Sequence, residues 1–211
     1  DFGTYSFYYS HQITSGEGGM IVCNSKEDYK IIHTLRAHGW DRGLGNNKKN
    51  FNFINSGFNL RPTEIVAAIG YSQFKRLNKF KNIRALNRKK IIDKLKNSVK
   101  WKNQFTFIDP VNKLEPSWFG LPILIEKKIT HKKKKFLNFL NNRGIETRPI
   151  ISGNFINQPC VKLYNLNKRR EKFKNTQEID DRGFFVGLHT TPITDKQLNF
   201  IEKNFFNIDE V

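Results

Sequence analysis

The pattern of apolar and polar positions in the first part of the chain predicts a strand, a turn and a second strand. Residues 1–9 are aromatic and alternating, which is typical of a strand, and residues 12–19 form a Gly-rich turn. The short apolar run Gly19–Cys23 predicts a buried strand. Ser25, with acidic residues after it, is expected to begin a helix.

The middle of the chain changes from a loop to a helical period. Residues 39–58 are rich in Gly and Asn and are expected to form a long loop, which in compact domains is usually functional or disordered. Pro62 is expected to open a helix, because the first turn does not need its missing N–H group. The helical period continues to Leu77, and a second, basic helix is expected over residues 80–95.

Beyond residue 100 the pattern alternates between strands and helices, which favours a separate small domain. A helix is expected to begin at Thr194, because Gln197 three residues later completes a capping box. The other expected elements are strands at Phe105–Ile108, Ser117–Ile125 and Ile145–Ile150, and a helix at Thr130–Asn142 that Gly144 ends.

The charge of the chain leaves a nucleic-acid-binding protein as one alternative. Lys and Arg total 37 against 19 Asp and Glu, a net charge of +18. The dense run Lys132–Lys135 lies in a helical pattern whose other face carries Phe136 and Leu140, so it is interpreted as a solvated helix face. The chain also shows no zinc-finger, RNA-recognition or helix-turn-helix signature. We therefore expect no nucleic-acid partner.

The cysteine content and the hydropathy predict a cytoplasmic protein. Cys23 and Cys160 are too few for a disulfide framework and lack the spacing of metal ligands, so we expect reduced thiols. No apolar run approaches the roughly 20 residues that span a bilayer, and no membrane partner is expected.

One segment carries a recognisable chemistry. From Ser6 to Gly19 the sequence reads SFYYSHQITSGEGG. It resembles the cofactor-lysine segment of the DegT/DnrJ/EryC1/StrS sugar aminotransferases, in which Ser-Phe is followed by Ser-Lys and a Gly-Glu-Gly-Gly turn. His11 stands here at the lysine position. A lysine forms a Schiff base with pyridoxal phosphate (PLP), whereas an imidazole cannot, although it can transfer protons near neutral pH.

A PLP site without its lysine resembles the nucleotide-sugar 3-dehydratase branch of this family. The resemblance implies removal of the C3 hydroxyl of a nucleotide-linked 4-keto-6-deoxyhexose, with GDP as the nucleotide, for dideoxysugar and lipopolysaccharide O-antigen synthesis. PLP and its amine form, pyridoxamine phosphate (PMP), are the implied cofactors, glutamate is the implied amino donor, and His11 is the implied catalytic base. The alternative is a family member that lost its lysine and serves as a non-catalytic partner.

The resemblance also implies the fold. It is the α/β fold of PLP-dependent enzymes of the aspartate aminotransferase type (fold type I). Residues 1–98 would be the C-terminal part of the large PLP-binding domain, and residues 99–211 a small C-terminal α+β domain. The chain has no initiator Met and resembles only the second half of a family member. We therefore expect the 211-residue chain to be inactive alone, because the other half carries part of the phosphate site and the Asp that pairs with the pyridine nitrogen.

Three residues are implied to hold the cofactor. Ser6 and Ser10 would donate hydroxyl hydrogen bonds to its phosphate, although serines in turns commonly serve the turn itself. Asn59, in the segment Gly57-Phe-Asn59, would reach the cofactor phosphate of the neighbouring subunit. This implies a homodimer with a shared active site. The alternative for Asn59 is a turn residue before a helix.

Three further residues are implied to bind the substrate. His38 and Arg42 lie in Arg-Ala-His-Gly-Trp-Asp-Arg, which resembles the dehydratase branch, and Arg148 lies in a second matching segment. A guanidinium suits a sugar diphosphate. His38 and Arg42 could instead complement a helix C-terminus. A sister group binds an iron–sulfur cluster through cysteines in this loop, but residues 40–58 contain none, so no cluster and no metal are expected.

Overall fold

The computed structural model of the protein describes residues 1–45, 51–112, 114–167 and 172–211. These residues form two compact units, Asp1–Asn78 and Lys79–Val211, which we call the N-terminal and the C-terminal unit. The strands are β1 (Phe2–Ser6), β2 (Gly19–Cys23), β3 (Phe105–Phe107), β4 (Gly120–Ile125), β5 (Thr147–Arg148) and β6 (Gly183–Gly187). The helices are α1 (Lys26–Leu35), α2 (Glu64–Phe74), α3 (Leu77–Lys96), α4 (Lys133–Asn142), α5 (Pro159–Leu163), α6 (Lys174–Arg182) and α7 (Asp195–Phe205).

In the N-terminal unit, β1 and β2 pair antiparallel, and two helices follow with side-chain caps. The Ser25 hydroxyl accepts a hydrogen bond from the backbone N–H of Asp28 at 3.1 Å, which confirms the predicted start of α1. The cap of α2 is Thr63. The prediction that Pro62 lies in the first turn is therefore wrong, because Pro62 precedes the cap.

The N-terminal unit buries little apolar surface. The strand predicted at residues 19–23 is present, but the prediction that it is buried is wrong. Met20, Ile21 and Val22 are 44%, 51% and 41% exposed. Among the described residues, the hydrophobic core cluster begins only at Ile91. The geometry of this unit therefore depends on backbone hydrogen bonds and turns rather than on a core of its own.

The C-terminal unit is built on an antiparallel sheet with strand order β3-β4-β6-β5. Alternate residues of β4 point into the core, and Leu121, Ile123 and Ile125 are fully buried. α3 contributes Ile91 and Leu95 to the same core. Most of α3 thus belongs to this compact unit, whereas the sequence placed residues up to 98 with the large domain; that domain assignment stays a prediction.

Four phenylalanines, one from each of four elements, meet in the middle of this core. Their ring centroids are 5.5–6.4 Å apart, and several pairs meet edge to face, an arrangement that adds to the effect of area burial. They are Phe105, Phe136, Phe184 and Phe205. The interpretation of the basic run as a solvated helix face holds only for Lys134 and Lys135, which are exposed. Lys132 and Lys133 are partly buried and donate to the backbone carbonyls of Ile208 (3.1 Å) and Asp180 (2.7 Å).

The outer elements of this unit differ from the predictions in part. The capping box at Thr194 and Gln197 is present and confirms the start of α7. The strand expected at 145–150 shrinks to Thr147–Arg148, because only these residues pair with β6. β6, α5 and α6 were not predicted. Within the described residues, no helix is both long and apolar enough to cross a membrane.

A buried asparagine ties α3 to the loop before α7. The side-chain amide of Asn87, 2% exposed, donates to the carbonyls of His189 (3.1 Å) and Thr191 (2.8 Å) and accepts from the N–H of Ile193 (2.9 Å). Every hydrogen bond here satisfies a backbone group of the loop.

Asn87→Ala should lower the free energy of unfolding by about 3 kcal/mol, because it leaves three backbone groups without their partner. Urea unfolding followed by tryptophan fluorescence measures the change. Asn82→Ala, on the exposed side of α3, is the matched control and makes the same change in helix propensity. Equal stability of the two variants would show that the Asn87 bonds contribute nothing.

Candidate functional site

The segment that carries His11 is closed by backbone hydrogen bonds between its two ends. The N–H of Phe7 donates to the carbonyl of Gly18, and the N–H of Ser15 donates to the carbonyl of Phe7, both at 2.9 Å. β1 and β2 continue this pairing on one side. The chain between residues 7 and 18 is therefore a closed loop at the end of a two-stranded sheet.

Ser15 and Gly18 form the tight part of this loop. Ser15 is buried, and its hydroxyl donates to the carbonyl of Glu17 at 2.7 Å. Gly18 has a φ of +145°, and a Cβ there would lie 2.9 Å from the Ser15 Oγ. Only glycine fits this position without displacing the serine. The Gly-rich pattern in the sequence thus has a steric reason.

His11 lies at an exposed position on this loop. The backbone N–H of His11 donates to the backbone carbonyl of Tyr8 at 3.0 Å. The imidazole and the Tyr8 ring meet edge-on, with their centroids 6.3 Å apart. Desolvation raises the pKa of the Tyr8 phenol above its usual value, with smaller contributions from Tyr9 and Glu17. Tyr8 is therefore a neutral phenol beside the imidazole at neutral pH.

The serine hydroxyls beside His11 fit a phosphate group. The Ser6 Oγ accepts a hydrogen bond from the N–H of Tyr8 at 3.3 Å, which leaves its hydroxyl proton to be donated. Ser10 is only partly buried and is bonded to none of the described residues. Hydroxyl donors at a tight Gly-rich turn suit a dianion. The donor set on this loop is thus compatible with the phosphate of PLP.

His38 and Asn59 are brought together by a second backbone pairing. Ala37 and Asn59 form an antiparallel bridge. The N–H of His38 donates to the carbonyl of Phe58 at 2.8 Å, and the N–H of Phe58 donates to the carbonyl of Leu35 at 2.7 Å. His38 and Asn59 are both exposed. The sequence predicted His38 and Asn59 from separate motifs. The structure brings them together, because Asn59 pairs with Ala37, the residue just before His38.

Arg42 lies on an aromatic stack that the sequence analysis missed. Its guanidinium carbon is 5.1 Å from the centroid of Trp40, which also stacks on Phe51 with 5.4 Å between centroids. The Trp40 Nε1 is buried and has no hydrogen-bond partner among the described residues. Trp40 lies within the same sequence motif as Arg42. The aromatic residues near it in the sequence were therefore the signal that could have revealed this stack.

Arg148 lies in the C-terminal unit, on the edge strand β5. It forms an exposed ion pair with Glu146, with 2.8 Å between the Arg148 Nη2 and the Glu146 Oε1. The other six predicted site residues lie in the N-terminal unit. A cavity of about 720 Å³ in the C-terminal unit is lined by residues such as Ile145, Leu188 and Phe200, and by none of the seven.

Within the described residues, no three His, Cys, Asp or Glu side chains are grouped to hold a metal ion. Cys23 and Cys160 are free thiols.

The comparisons with known proteins identify the family. The model of the DegT/DnrJ/EryC1/StrS aminotransferase family matches residues 1–203. The chain therefore belongs to the DegT/DnrJ/EryC1/StrS aminotransferase family. The prediction made from the segment around His11 is confirmed.

Among curated proteins, the chain is similar to GDP-4-keto-6-deoxy-D-mannose 3-dehydratase of Escherichia coli O55:H7. The two are 35% identical over 207 residues, which cover 92% of this chain and 52% of that protein. The chain thus spans about half the length of this curated relative. The predicted resemblance to the dehydratase branch is also confirmed.

Two solved structures of this type of enzyme match the fold. One is the E. coli dehydratase with bound hydrated PLP (31% identity, TM-score 0.81), and the other is a dehydratase with a trapped PLP–glutamate geminal diamine (31% identity, TM-score 0.80). Each comparison covers 96% of this chain and 54% of the other. The predicted α/β fold of the PLP-dependent aminotransferase type is confirmed.

Gly18→Ala should open the loop around His11, because the new Cβ displaces the Ser15 side chain. We expect amide hydrogen exchange at Phe7 and Ser15 to become at least about tenfold faster, the effect of ~1.4 kcal/mol on local opening. Exchange measured by mass spectrometry tests this. Gly16→Ala is the control, since Gly16 also has a positive φ (+87°) but no neighbour within 4 Å of a Cβ. Equal protection in both variants would contradict the steric explanation.

Proposed function

We propose that this chain is the second half of a PLP/PMP-dependent 3-dehydratase of a nucleotide-linked 4-keto-6-deoxyhexose, with GDP as the nucleotide. The observation that carries the proposal is His11, on a closed Gly-rich loop, at the position where the family has its lysine. The similarity to a GDP-sugar 3-dehydratase supports it. We use "complete enzyme" for this chain together with the other half of the family fold.

His11 would move the proton that the reaction requires. The bound cofactor supplies an electron sink for breaking the carbon–oxygen bond at C3 of the sugar. A ring nitrogen of His11 would take a proton from the C4′ carbon of the bound cofactor and give it to the C3 hydroxyl, which leaves the sugar as water; this role suits an imidazole near neutral pH. Because His11 would form no covalent bond to the cofactor, non-covalent contacts must retain the cofactor, among them hydrogen bonds to its phosphate.

Cofactor retention would rest on Ser6 and Ser10 of one subunit and Asn59 of its partner in a homodimer. The hydroxyl donors on the loop around His11 support the first part. Asn59 is flanked by the strongly exposed Phe58 and Leu60 (63% and 66%), and exposed apolar residues of this kind mark interaction surfaces, which supports the second.

Substrate binding would involve His38, Arg42 and Arg148. The stack of Arg42 on Trp40 holds a guanidinium beside an aromatic face. Arg148 is already paired with an exposed carboxylate, Glu146, and a diphosphate could take the place of that carboxylate. Glutamate as amino donor is supported by the relative that was trapped with a PLP–glutamate adduct.

The domain organisation proposed here keeps residues 1–98 with the large PLP-binding domain and 99–211 as the small domain. The N-terminal unit exposes many apolar residues, and apolar area of this extent is rarely left in contact with solvent. This supports the proposal that another part of the protein covers these residues. The other half of the family fold would provide this cover. The free thiols of Cys23 and Cys160 fit the proposed location in the cytoplasm.

His11→Asn in the complete enzyme should abolish C3 deoxygenation, because the amide keeps a similar size but cannot act as a base. His11→Lys should reduce dehydration and favour amination at C4, since a lysine can bond to the cofactor and transfer protons. Mass spectrometry of the sugar product separates loss of oxygen at C3 from gain of nitrogen at C4.

His131→Asn is the control for this experiment, because His131 lies exposed in the C-terminal unit. It should leave the rate unchanged. If the His11→Asn enzyme deoxygenates at the parental rate, His11 is not the base. If the parental enzyme binds cofactor but converts no sugar at all, the non-catalytic alternative gains support.

Asn59→Ala should weaken PLP binding roughly tenfold or more while the fold is kept, because a hydrogen bond to a charged group contributes about 1.5–3 kcal/mol. Fluorescence titration with PLP measures the affinity in the complete enzyme. Asn78→Ala is the control, since Asn78 is exposed in the same unit. An unchanged affinity in Asn59→Ala would reduce Asn59 to a turn residue.

A further inference from the structure

Two glycines make the pairing of residues 34–39 with residues 55–60, which we call the clasp, unusually close. A Cβ on Gly57 would lie 2.4 Å from the backbone nitrogen of Gly39 and 2.8 Å from the carbonyl oxygen of Leu35. A Cβ on Gly39 would lie 1.7 Å from the carbonyl oxygen of Asn55. The neighbours are backbone atoms, so they cannot move aside as a flexible side chain would. Both positions therefore require glycine.

The clasp is anchored on α1 through Thr34. Thr34 is 1% exposed, and its carbonyl accepts hydrogen bonds from Ala37 at 3.0 Å and Gly39 at 2.8 Å. On the other side, the carbonyl of Gly39 accepts from the N–H of Ile54 at 3.0 Å. The segment after the helix is thus held on both sides by backbone atoms.

His38 is held in the clasp in a conformation that an ordinary residue avoids. Its φ is +63°, in the left-handed region that residues other than glycine rarely adopt because their Cβ crowds the backbone. The hydrogen bond from His38 to Phe58 and the pairing of Leu60 with Arg36 (2.9 Å) stabilise this conformation. Strain of this kind persists where the surroundings impose it, and it concentrates at functional sites.

We propose that the clasp is a positioning device that fixes His38 and Asn59 as one unit, with Gly39 and Gly57 as its positioning residues. This inference rests on the proposed function, in which His38 faces the sugar nucleotide and Asn59 the partner's cofactor. Because Asn59 bridges to Ala37, the residue before His38, a shift of one strand of the clasp moves both side chains. The clasp therefore couples substrate binding to cofactor retention.

The test enlarges Gly57 and follows two affinities. Gly57→Ala in the complete enzyme should weaken the binding of PLP, measured by fluorescence, and of GDP, measured by calorimetry, each about tenfold or more. Gly39→Ala should cause the same double loss. Gly45→Ala is the matched control in the same loop, since Gly45 has a φ of +91° and no described atom within 4 Å of a Cβ. It should change neither affinity.

Double substitutions separate positioning from a purely structural effect. When Gly57 is already Ala, Asn59→Ala should cost little further PLP affinity and His38→Ala little further GDP affinity. A merely structural Gly57 would give additive losses, and this result would overturn the inference. If Gly57→Ala weakens only one of the two affinities, the clasp does not couple them, and the inference again fails.

The proposed function fails in a different way from the clasp. If His38→Ala and Asn59→Ala alone leave both affinities unchanged, the residue roles are wrong and the coupling fails with them. If those variants lose affinity but Gly57→Ala and Gly39→Ala do not, only the clasp is wrong. Should the alanine variants not fold, Leu60→Pro removes the single hydrogen bond to Arg36 without adding bulk to either glycine, and it should still weaken both affinities.

Discussion

The uneven burial of apolar surface is the constraint on which the rest of the structure depends. Burial stabilises a fold by roughly 25 cal/mol per Å² of apolar area, and the described chain concentrates this contribution in the C-terminal unit. There the alternation of β4 and the rings around Phe136 build a continuous core. The described residues of the N-terminal unit form no comparable core, and yet this unit carries six of the seven predicted site residues. Its site geometry is therefore held locally, by backbone pairing and glycine turns.

Two local devices organise that unit. The loop around His11 closes through Phe7, Ser15 and Gly18, while the clasp closes after α1 and before α2. Each segment presents an exposed histidine, and backbone hydrogen bonds determine the conformation of the segment. A site made in this way can exchange one side chain for another, such as histidine for the family's lysine, without rebuilding the backbone beneath it.

The sequence predicted the elements that short-range chemistry determines. Ser25 and the pair Thr194 and Gln197 mark helix starts because capping acts over three residues. The sequence did not predict contacts that depend on distant partners. β5 is short because only two of its residues pair with β6, and β2 is exposed because the described residues of its unit form no hydrophobic core against it. The family motif predicted His38 and Asn59 separately, but no local pattern reveals that Ala37 and Asn59 pair.

The open two-stranded sheet has a consequence for the behaviour of the 211-residue chain in solution. β1 and β2 read FGTYS and GMIVC, short uncharged strands of high β-propensity, and no other described strand pairs with their outer edges. Such segments template intermolecular pairing when they stay uncovered, so the 211-residue chain prepared by itself should be prone to aggregation. The net charge of +18 works in the opposite direction, since mutual repulsion keeps separate chains apart.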